Sequence, residues 1–302
     1  MALPAHISPM GRLAHYGYLI FCGSVLLFLI APILVIVPLS FNSAPYFTFS
    51  REMLQLDLSA FSLRWYRDIV QNGMQNPNAS FGWSYLVDSW NNAQWIHSLK
   101  NSFVIAIATT ILSMLLGTLA ALGLTSPGMP ARGLVTSLLI SPMIVPIIIT
   151  SAGMYFAFST MGLTGTFAGL IIAHTVLGTP FVVITVTATL EGFDRNLIRA
   201  GLSLGASPVR VFRSVIMPLI LPGVASGGIF AFATSFDEVV AVIFLADYDQ
   251  RTVPRQMWAG IREQISPTIL AMATILVLLS IGLLTIVELL RRRTERMRGT
   301  TL

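Results

Sequence analysis

Asp237 and Glu238 are adjacent carboxylates inside the stretch TSFDEVVAVIFL, residues 234–245, and the nearest charged residue before them is Arg213. An ionised side chain in hydrocarbon costs about 2.5–3.5 kcal/mol at a helix centre, so such residues face protein or water and carry function by default. Thr234 and Ser235 stand about one turn earlier and extend the polar patch. Two uses are open to it. The carboxylates can line an entry path and pair with a polyvalent cation, or they can accept hydrogen bonds from a partner subunit or an arginine such as Arg255 and hold a gate closed. Catalysis has less to stand on. The single cysteine, Cys22, excludes an intrachain disulfide and an all-cysteine metal site. His174 has no companion at metal-ligand spacing and reads as a buried hydrogen-bonding group, so no metal, cofactor or catalytic residue is assigned. The chain lacks G-x-x-x-x-G-K-[ST], so it does not hydrolyse ATP through that loop.

The elements that position these acids are membrane helices. The 302 residues are 55% hydrophobic and only 10% charged, with a mean hydropathy of +0.78, whereas a soluble domain is about 25% charged. Roughly 20 apolar residues span a bilayer as helix. Stretches at about 17–41, 101–124, 217–245 and 266–288 meet that need, and the uncharged run 133–190 holds two more spans with STMGLTG, residues 159–165, as their turn. Pro142, Pro146 and Pro180 predict kinks in those two. GTLAALG (117–123), SAGMYFA (151–157) and GVASGG (223–228) predict close helix approach.

Six spans put both termini on one side. Arg291, Arg292, Arg293, Arg296 and Arg298 follow the last span and make that side cytoplasmic. This divides the chain into a cytoplasmic tail 1–16, a six-helix domain 17–290 and a basic cytoplasmic tail 291–302. The net charge of +5 is thus explained by cytoplasmic loops rather than by nucleic acid. The long segment 42–99 falls outside, and its Trp65, Trp83, Trp90 and Trp95 suit an interfacial surface helix. Asp237 and Glu238, taken as one helix, lie about 100° apart, and Glu238 sits roughly 10 Å from the outer end at Leu245.

The cytoplasmic connection 191–217 is too structured for a plain loop. Asn196 to Leu204 reads as a helix stopped by Gly205, and Ser207 and Pro208 are N-cap and first residue of a second helix. Val209, Phe212 and Val215 or Ile216 give that helix an apolar stripe, with Arg210 and Arg213 elsewhere on it and Pro218 re-entering the membrane. A basic amphipathic pair of this kind either docks another protein or lies on anionic headgroups.

The segment resembles the EAA loop of ABC importer permeases: Glu-Ala-Ala, three residues, Gly, nine residues, Ile-x-Leu-Pro. Here the register gives Arg199-Ala200-Gly201, Gly205 and Val215-Ile216-Met217-Pro218. Arg199 stands where the family has Glu, reversing a charge that helps set the ATPase contact, and Gly201 replaces the second Ala. SLGASPVRVFRSVIMPLILPG is similar to the polyamine-type permeases in particular. FSLRWYRDI (61–69), SLKNSFVIAIATTILSMLLGTLAALGL (98–124), HTVLGTPFVVITVTATLEGFD (174–194) and QRTVPRQMWAGIREQISPTI (250–269) extend the likeness over most of the chain.

The resemblance implies an all-α, MetI-like type I importer fold in the bacterial inner membrane. It implies a heterodimer with a second permease, two cytoplasmic ATP-binding subunits and a periplasmic substrate-binding protein, carrying a polyamine such as putrescine or spermidine. Arg199, Ala200, Gly201, Gly205, Ala206, Ser207, Pro208, Phe212 and Pro218 are then the ATPase-coupling residues. Thr234, Ser235, Asp237 and Glu238 are the pathway or gate. An opine, amino-acid derivative or ferric ion is the alternative cargo. A stand-alone secondary transporter or channel, or an assembly factor, is the alternative class.

Overall fold

The computed structural model describes residues 9–192, 194, 196–263 and 265–297. In chain order the helices are α1 (Pro9–Leu39), α2 (Arg51–Leu54), α3 (Arg64–Gln71), α4 (Trp83–Asn92), α5 (Gln94–Leu124), α6 (Arg132–Ile144) and α7 (Ile147–Thr160). They continue as α8 (Phe167–Glu191), α9 (Asn196–Ser203), α10 (Pro208–Val211), α11 (Met217–Asp237), α12 (Val240–Leu245), α13 (Val253–Glu263) and α14 (Thr268–Met297). No strand occurs among the described residues; Asn42 and Phe61 form an isolated bridge. Two compact units divide the chain, Met1–Asn72 with Gly260–Leu302, and Gly73–Ala259.

In the first unit, α1 buries only Leu39. The segment after it is organised by Asn42. Its Nδ2 donates to Thr48 O at 2.7 Å, its Oδ1 accepts from Ala44 N at 2.9 Å, and its backbone oxygen accepts from Trp65 Nε1 at 2.6 Å. Thr268 Oγ1 donates to Asp68 Oδ2 at 2.6 Å and ties α14 to α3.

The second unit is a three-helix core of α5, α8 and α11. Buried residues recur every three or four positions on each helix: Thr109, Ser113, Gly117 and Ala121 on α5, and Val224, Gly227 or Gly228, Ala231 and Ser235 on α11. Without a hydrophobic force between helices in lipid, such small residues let backbones approach and gain dispersion contact. A Cβ on Gly117 would lie 2.6 Å from Val182 Cβ, and one on Gly227 would lie 2.7 Å from Val182 Cα and 2.5 Å from Thr185 Oγ1. One on Gly223 would lie 2.3 Å from Thr189 Oγ1. Two of the three small-residue stretches thus hold close contacts. In the third, Ser151 is buried and Met154 packs on a core cluster, but Gly153, like Gly123, has nothing within 4 Å.

Several expected spans change shape. The second begins at Gln94, so α5 is 31 residues long and reaches into the segment assigned outside. The third is not one helix: α6 and α7 meet at 103°. Val145, at φ −71 and ψ 133, is extended, as the residue before a proline prefers, and Pro146 starts the next helix. Pro142 and Pro180 lie within continuous helices. The turn between the third and fourth spans falls at 161–166, where Gly162 (φ +68) and Gly165 (φ +69) supply the left-handed residues. Four helices, Pro9–Leu39, Gln94–Leu124, Phe167–Glu191 and Pro208–Asp237, are long and apolar enough to cross a bilayer, and the bent pair is a fifth candidate. The last expected span corresponds to α14, whose apolar part is Thr268–Gly282. Of the four tryptophans in the 42–99 segment, Trp65 and Trp95 are buried, 8% and 4% exposed, and Trp83 and Trp90 are outward.

Gly227→Ala is expected to destabilise the fold by about 1–3 kcal/mol through overpacking against Val182 and Thr185. Gly123→Ala, facing open space, is expected to be neutral. Thermal unfolding of the two purified variants in detergent checks this.

Candidate functional site

Two regions of the second unit carry the polar residues singled out above. The first is the connection between α8 and α11. The helix α9 ends in a Schellman turn: Ala206 N donates to Gly201 O at 3.1 Å and Gly205 N to Leu202 O at 3.0 Å. Gly205 sits at φ +80, a conformation other residues adopt only with strain. Ser207 then caps α10, its Oγ accepting from Arg210 N at 3.4 Å, with Pro208 as the first helical residue.

The second helix of the connection is not separate from the fifth span. A π turn over Phe212–Ile216 joins α10 to α11, so Pro208–Asp237 is one helical rod of 30 residues. Pro218 has no N–H to offer the Ser214 carbonyl four residues back, and the ladder widens into the π turn just before it. The expected apolar stripe is not the face that packs. Val211, 3% exposed, packs inward, while Val209 is 61% exposed and Phe212 is half-buried. Gly201 is what admits Val211, since a Cβ there would lie 3.1 Å from Val211 Cγ2. Arg199, Ala200, Gly205, Ser207, Pro208 and Pro218 are exposed, and Ala206 and Gly201 are half-buried. Leu204, 88% exposed, and Val209, 61% exposed, are the most exposed apolar side chains of the connection, beside Leu197 and Leu202 at 46% and 45%. At this same end Arg132 Nη2 meets Glu191 Oε1 at 2.6 Å and ties the start of α6 to the end of α8.

The second region is the patch at the end of α11. Here the expectation of one continuous helix fails. The helix stops at Asp237, Glu238 is extended at φ −70 and ψ 122, and a new helix, α12, begins at Val240. Glu238 is spent on that break: its Oε1 accepts from Val240 N at 2.7 Å and Ala241 N at 3.0 Å. In hydrocarbon no water can satisfy the first N–H groups of a helix, and a carboxylate there also meets the positive end of the helix dipole. Ser235 turns inward, its Oγ 2.8 Å from His174 Nδ1 on α8; both residues are buried, and His174 Nε2 has no partner. Thr234 is half-buried. Asp237 alone is exposed, with no hydrogen bond or ion pair among the described residues, on the outward face of α11 that also carries Ser226, Phe230 and Ala233.

Arg255 does not serve this patch. Its Nη1 donates to Ala246 O at 2.8 Å and Asp247 O at 3.2 Å. The structure therefore brings Ser235 together with His174, a pairing across 61 residues that spacing could not show, and separates Glu238 from Asp237.

A rod that runs from an exposed, basic, capped turn to a lone carboxylate suits a subunit moved by others. Comparison with known proteins decides the family. The model of the binding-protein-dependent transport system inner membrane component matches residues 113–296. This chain belongs to that family. Its permease relatives include the spermidine/putrescine transport system permease protein PotC of Haemophilus influenzae, 30% identical over 213 residues, which are 70% of this chain and 83% of the relative. PotC of Escherichia coli K12 is 26% identical over 97% of this chain and 98% of its own. The putrescine transport system permease protein PotI of the same strain is 28% identical over 82% of this chain and 81% of its own. Among solved structures, a bacterial ABC transporter involved in importing the acidic polysaccharide alginate shares the fold, with TM-score 0.67 over 96% of this chain and 99% of that one at 14% identity. An amino acid ABC transporter matches with TM-score 0.51 over 71% of this chain and all of its own at 19% identity. The chain is thus an all-α ABC importer permease.

Glu238→Ala is expected to speed amide exchange at Val240 and Ala241 and to cost about 1 kcal/mol, whereas Glu238→Gln keeps an acceptor oxygen and most of the protection. Site-resolved hydrogen exchange of the two variants checks this.

Proposed function

We propose that this permease passes a small organic cation, a polyamine such as putrescine or spermidine, from a periplasmic binding protein to the cytoplasm. It does so as one half of a heterodimer driven by two ATP-binding subunits. The observation that carries the reading is the near-complete correspondence with PotC of Escherichia coli, 97% of this chain against 98% of that one.

The geometry supplies the physical steps. The surface around Arg199, Ala200, Gly201, Gly205, Ala206, Ser207, Pro208 and Phe212 is the ATPase contact, with Leu204 and Val209 as apolar plugs for a groove on the partner. The Schellman turn makes that surface stiff, so a push on it is transmitted rather than absorbed. Pro208–Asp237 is the lever, and Pro218 lies at the π turn where loop becomes span. ATP-driven closure rocks the rod as a rigid body and alternates access around a fixed path. In this reading six spans, with the arginines after the last one on the inner side, keep both termini and the 191–217 connection in the cytoplasm and the 42–99 and 246–265 segments outside.

At the far end of the rod, Asp237 is the carboxylate left for cargo. An ammonium entering a low-dielectric path gains from one unpaired carboxylate and pays less for its own desolvation. Ser235 and Glu238, already bonded within the chain, hold the shape of the break, and Thr234 flanks it. Asp237 thus takes the path role, while Glu238 serves neither path nor gate but caps α12.

The test is ATP-dependent uptake of labelled putrescine by proteoliposomes holding the whole complex. Uptake is expected, competed by excess spermidine and not by a neutral osmolyte. Asp237→Asn is expected to lower it about tenfold, the equivalent of about 1.4 kcal/mol. Absence of amine uptake, or an unchanged rate in Asp237→Asn, refutes the cargo assignment.

A further inference from the structure

At the end of the second unit opposite the α9–α10 turn lies a cavity of about 300 Å³. It gathers Asn91, Gln94, His97, Tyr248, Asp249 and Arg251 from the ends of α4 and α5 and from the loop before α13. The two ends are separated by the length of α5, 31 residues, or about 46 Å.

The walls are fixed in place. Asn101 Nδ2 donates to Asp249 O at 2.8 Å and to Arg251 O at 3.0 Å. His97 Nε2 lies 2.9 Å from Asp249 O; a carbonyl only accepts, so this nitrogen carries the proton. Ser102 Oγ accepts from Val253 N at 2.9 Å. The loop from 249 to 253 is therefore held to the first turns of α5 by side chains at 97, 101 and 102, one helix face.

Within this frame Arg251 is under-used. Its guanidinium carbon lies 5.1 Å from the centre of the Tyr248 ring, and Nη1 donates to Gln256 Oε1 at 2.8 Å. Its Nε is buried and has no partner. Neither Arg251 nor Arg255 has a carboxylate within ion-pair distance; among the described residues Arg132–Glu191 is the one such pair. Burial and, after it, the charge of Arg251 lower the Arg255 guanidinium from its usual range, while Asp247 raises it. Asp88, the acid nearest in sequence on α4, is already engaged by Asn76 N, Gln75 N and Asn92 Nδ2. A guanidinium held on an aromatic ring, with Nη1 engaged only by an amide and no carboxylate within ion-pair distance although Asp249 lines the same cavity, is suited to a carboxylate that arrives from outside.

We infer that this cavity receives a carboxylate side chain of the substrate-binding protein, clamped by Arg251, and so forms an anchor for that protein on the outer face. The inference rests on the importer reading, which makes the end opposite the ATPase contact the docking end. A buried, oriented guanidinium gives register as well as affinity, because a bidentate fork accepts a carboxylate in one plane.

The experiment measures ATPase stimulation of the reconstituted complex against concentration of the substrate-binding protein encoded with it. Arg251→Gln is expected to raise the half-saturating concentration at least about tenfold, with basal ATPase and subunit assembly unchanged. Asn91→Asp, an isosteric change at an exposed lining position, is expected to act the same way by adding a like charge to the cavity, and it keeps the test open if Arg251→Gln fails to assemble. Asp249→Asn is expected to leave stimulation unchanged or to sharpen it. Normal half-saturation in both Arg251→Gln and Asn91→Asp overturns the inference. So does a loss confined to Asp249→Asn, which points to a cationic guest instead. An assembled wild-type complex that never responds to the binding protein contradicts the importer reading itself, an outcome distinct from a shifted half-saturation.

Discussion

Val182 is gripped between two glycines, Gly117 on α5 and Gly227 on α11, and the three-helix core is organised around that contact. A single added carbon on either glycine would fall within 2.8 Å of Val182 atoms. In lipid, where burial of apolar surface supplies little drive between helices, such close approach is the main source of cohesion. It also fixes α11 against α8 along Val182, Thr185 and Thr189, so the rod from Pro208 to Asp237 has a track rather than a free path. The hydroxyls of Thr185 and Thr189 bond back to their own helix, at Phe181 O and Thr185 O, which leaves that track smooth.

The same solvent that removes the hydrophobic drive forbids idle backbone groups. Both interruptions in the spans obey this. At Val145 the following proline has no N–H to lose, so the 103° bend leaves one donor fewer to satisfy. At Glu238 there is no proline, and the side chain itself takes the two exposed amides of α12. An acid that reads as cargo chemistry by its rarity is, in place, a helix cap. Its neighbour Asp237 has no such bond among the described residues, and that contrast between adjacent residues underlies the proposed role of Asp237.

Much of this was legible in the residues. Composition and charge spacing gave the helical membrane class, and the register from Arg199 to Pro218 gave the permease family. Gly205, Ser207 and Pro208 announced the turn because each has one strong local role: a left-handed φ, a side-chain cap and a first-turn proline. The long-range facts were not legible. Nothing local pairs His174 with Ser235, or sets Arg251 over Tyr248 beside α5. The break at Glu238 was hidden because a run of apolar β-branched residues reads as uninterrupted span, and a cap made by a glutamate two residues ahead leaves no proline or glycine to mark it. The third span hid its bend for the opposite reason: Pro142 and Pro146 both predicted distortion, but Pro142 lies within a continuous helix and the extended residue is Val145, before Pro146. Trp65 and Trp95 were misplaced at the interface because tryptophan composition does not tell a headgroup belt from a packed helix contact.

The proposed role of the rod is to carry motion from the α9–α10 turn to the carboxylate at the break. Pulsed electron spin resonance on the assembled transporter tests it most directly, with labels at Val209 and Ala233 in a Cys22→Ser background. These exposed positions lie 24 residues apart on the rod, a helical distance of about 36 Å. A rigid rod gives one narrow distance that is the same with and without trapped ATP. A distance that shortens or splits into two populations on ATP binding would contradict it, because the rod would then flex at the π turn instead of carrying the stroke.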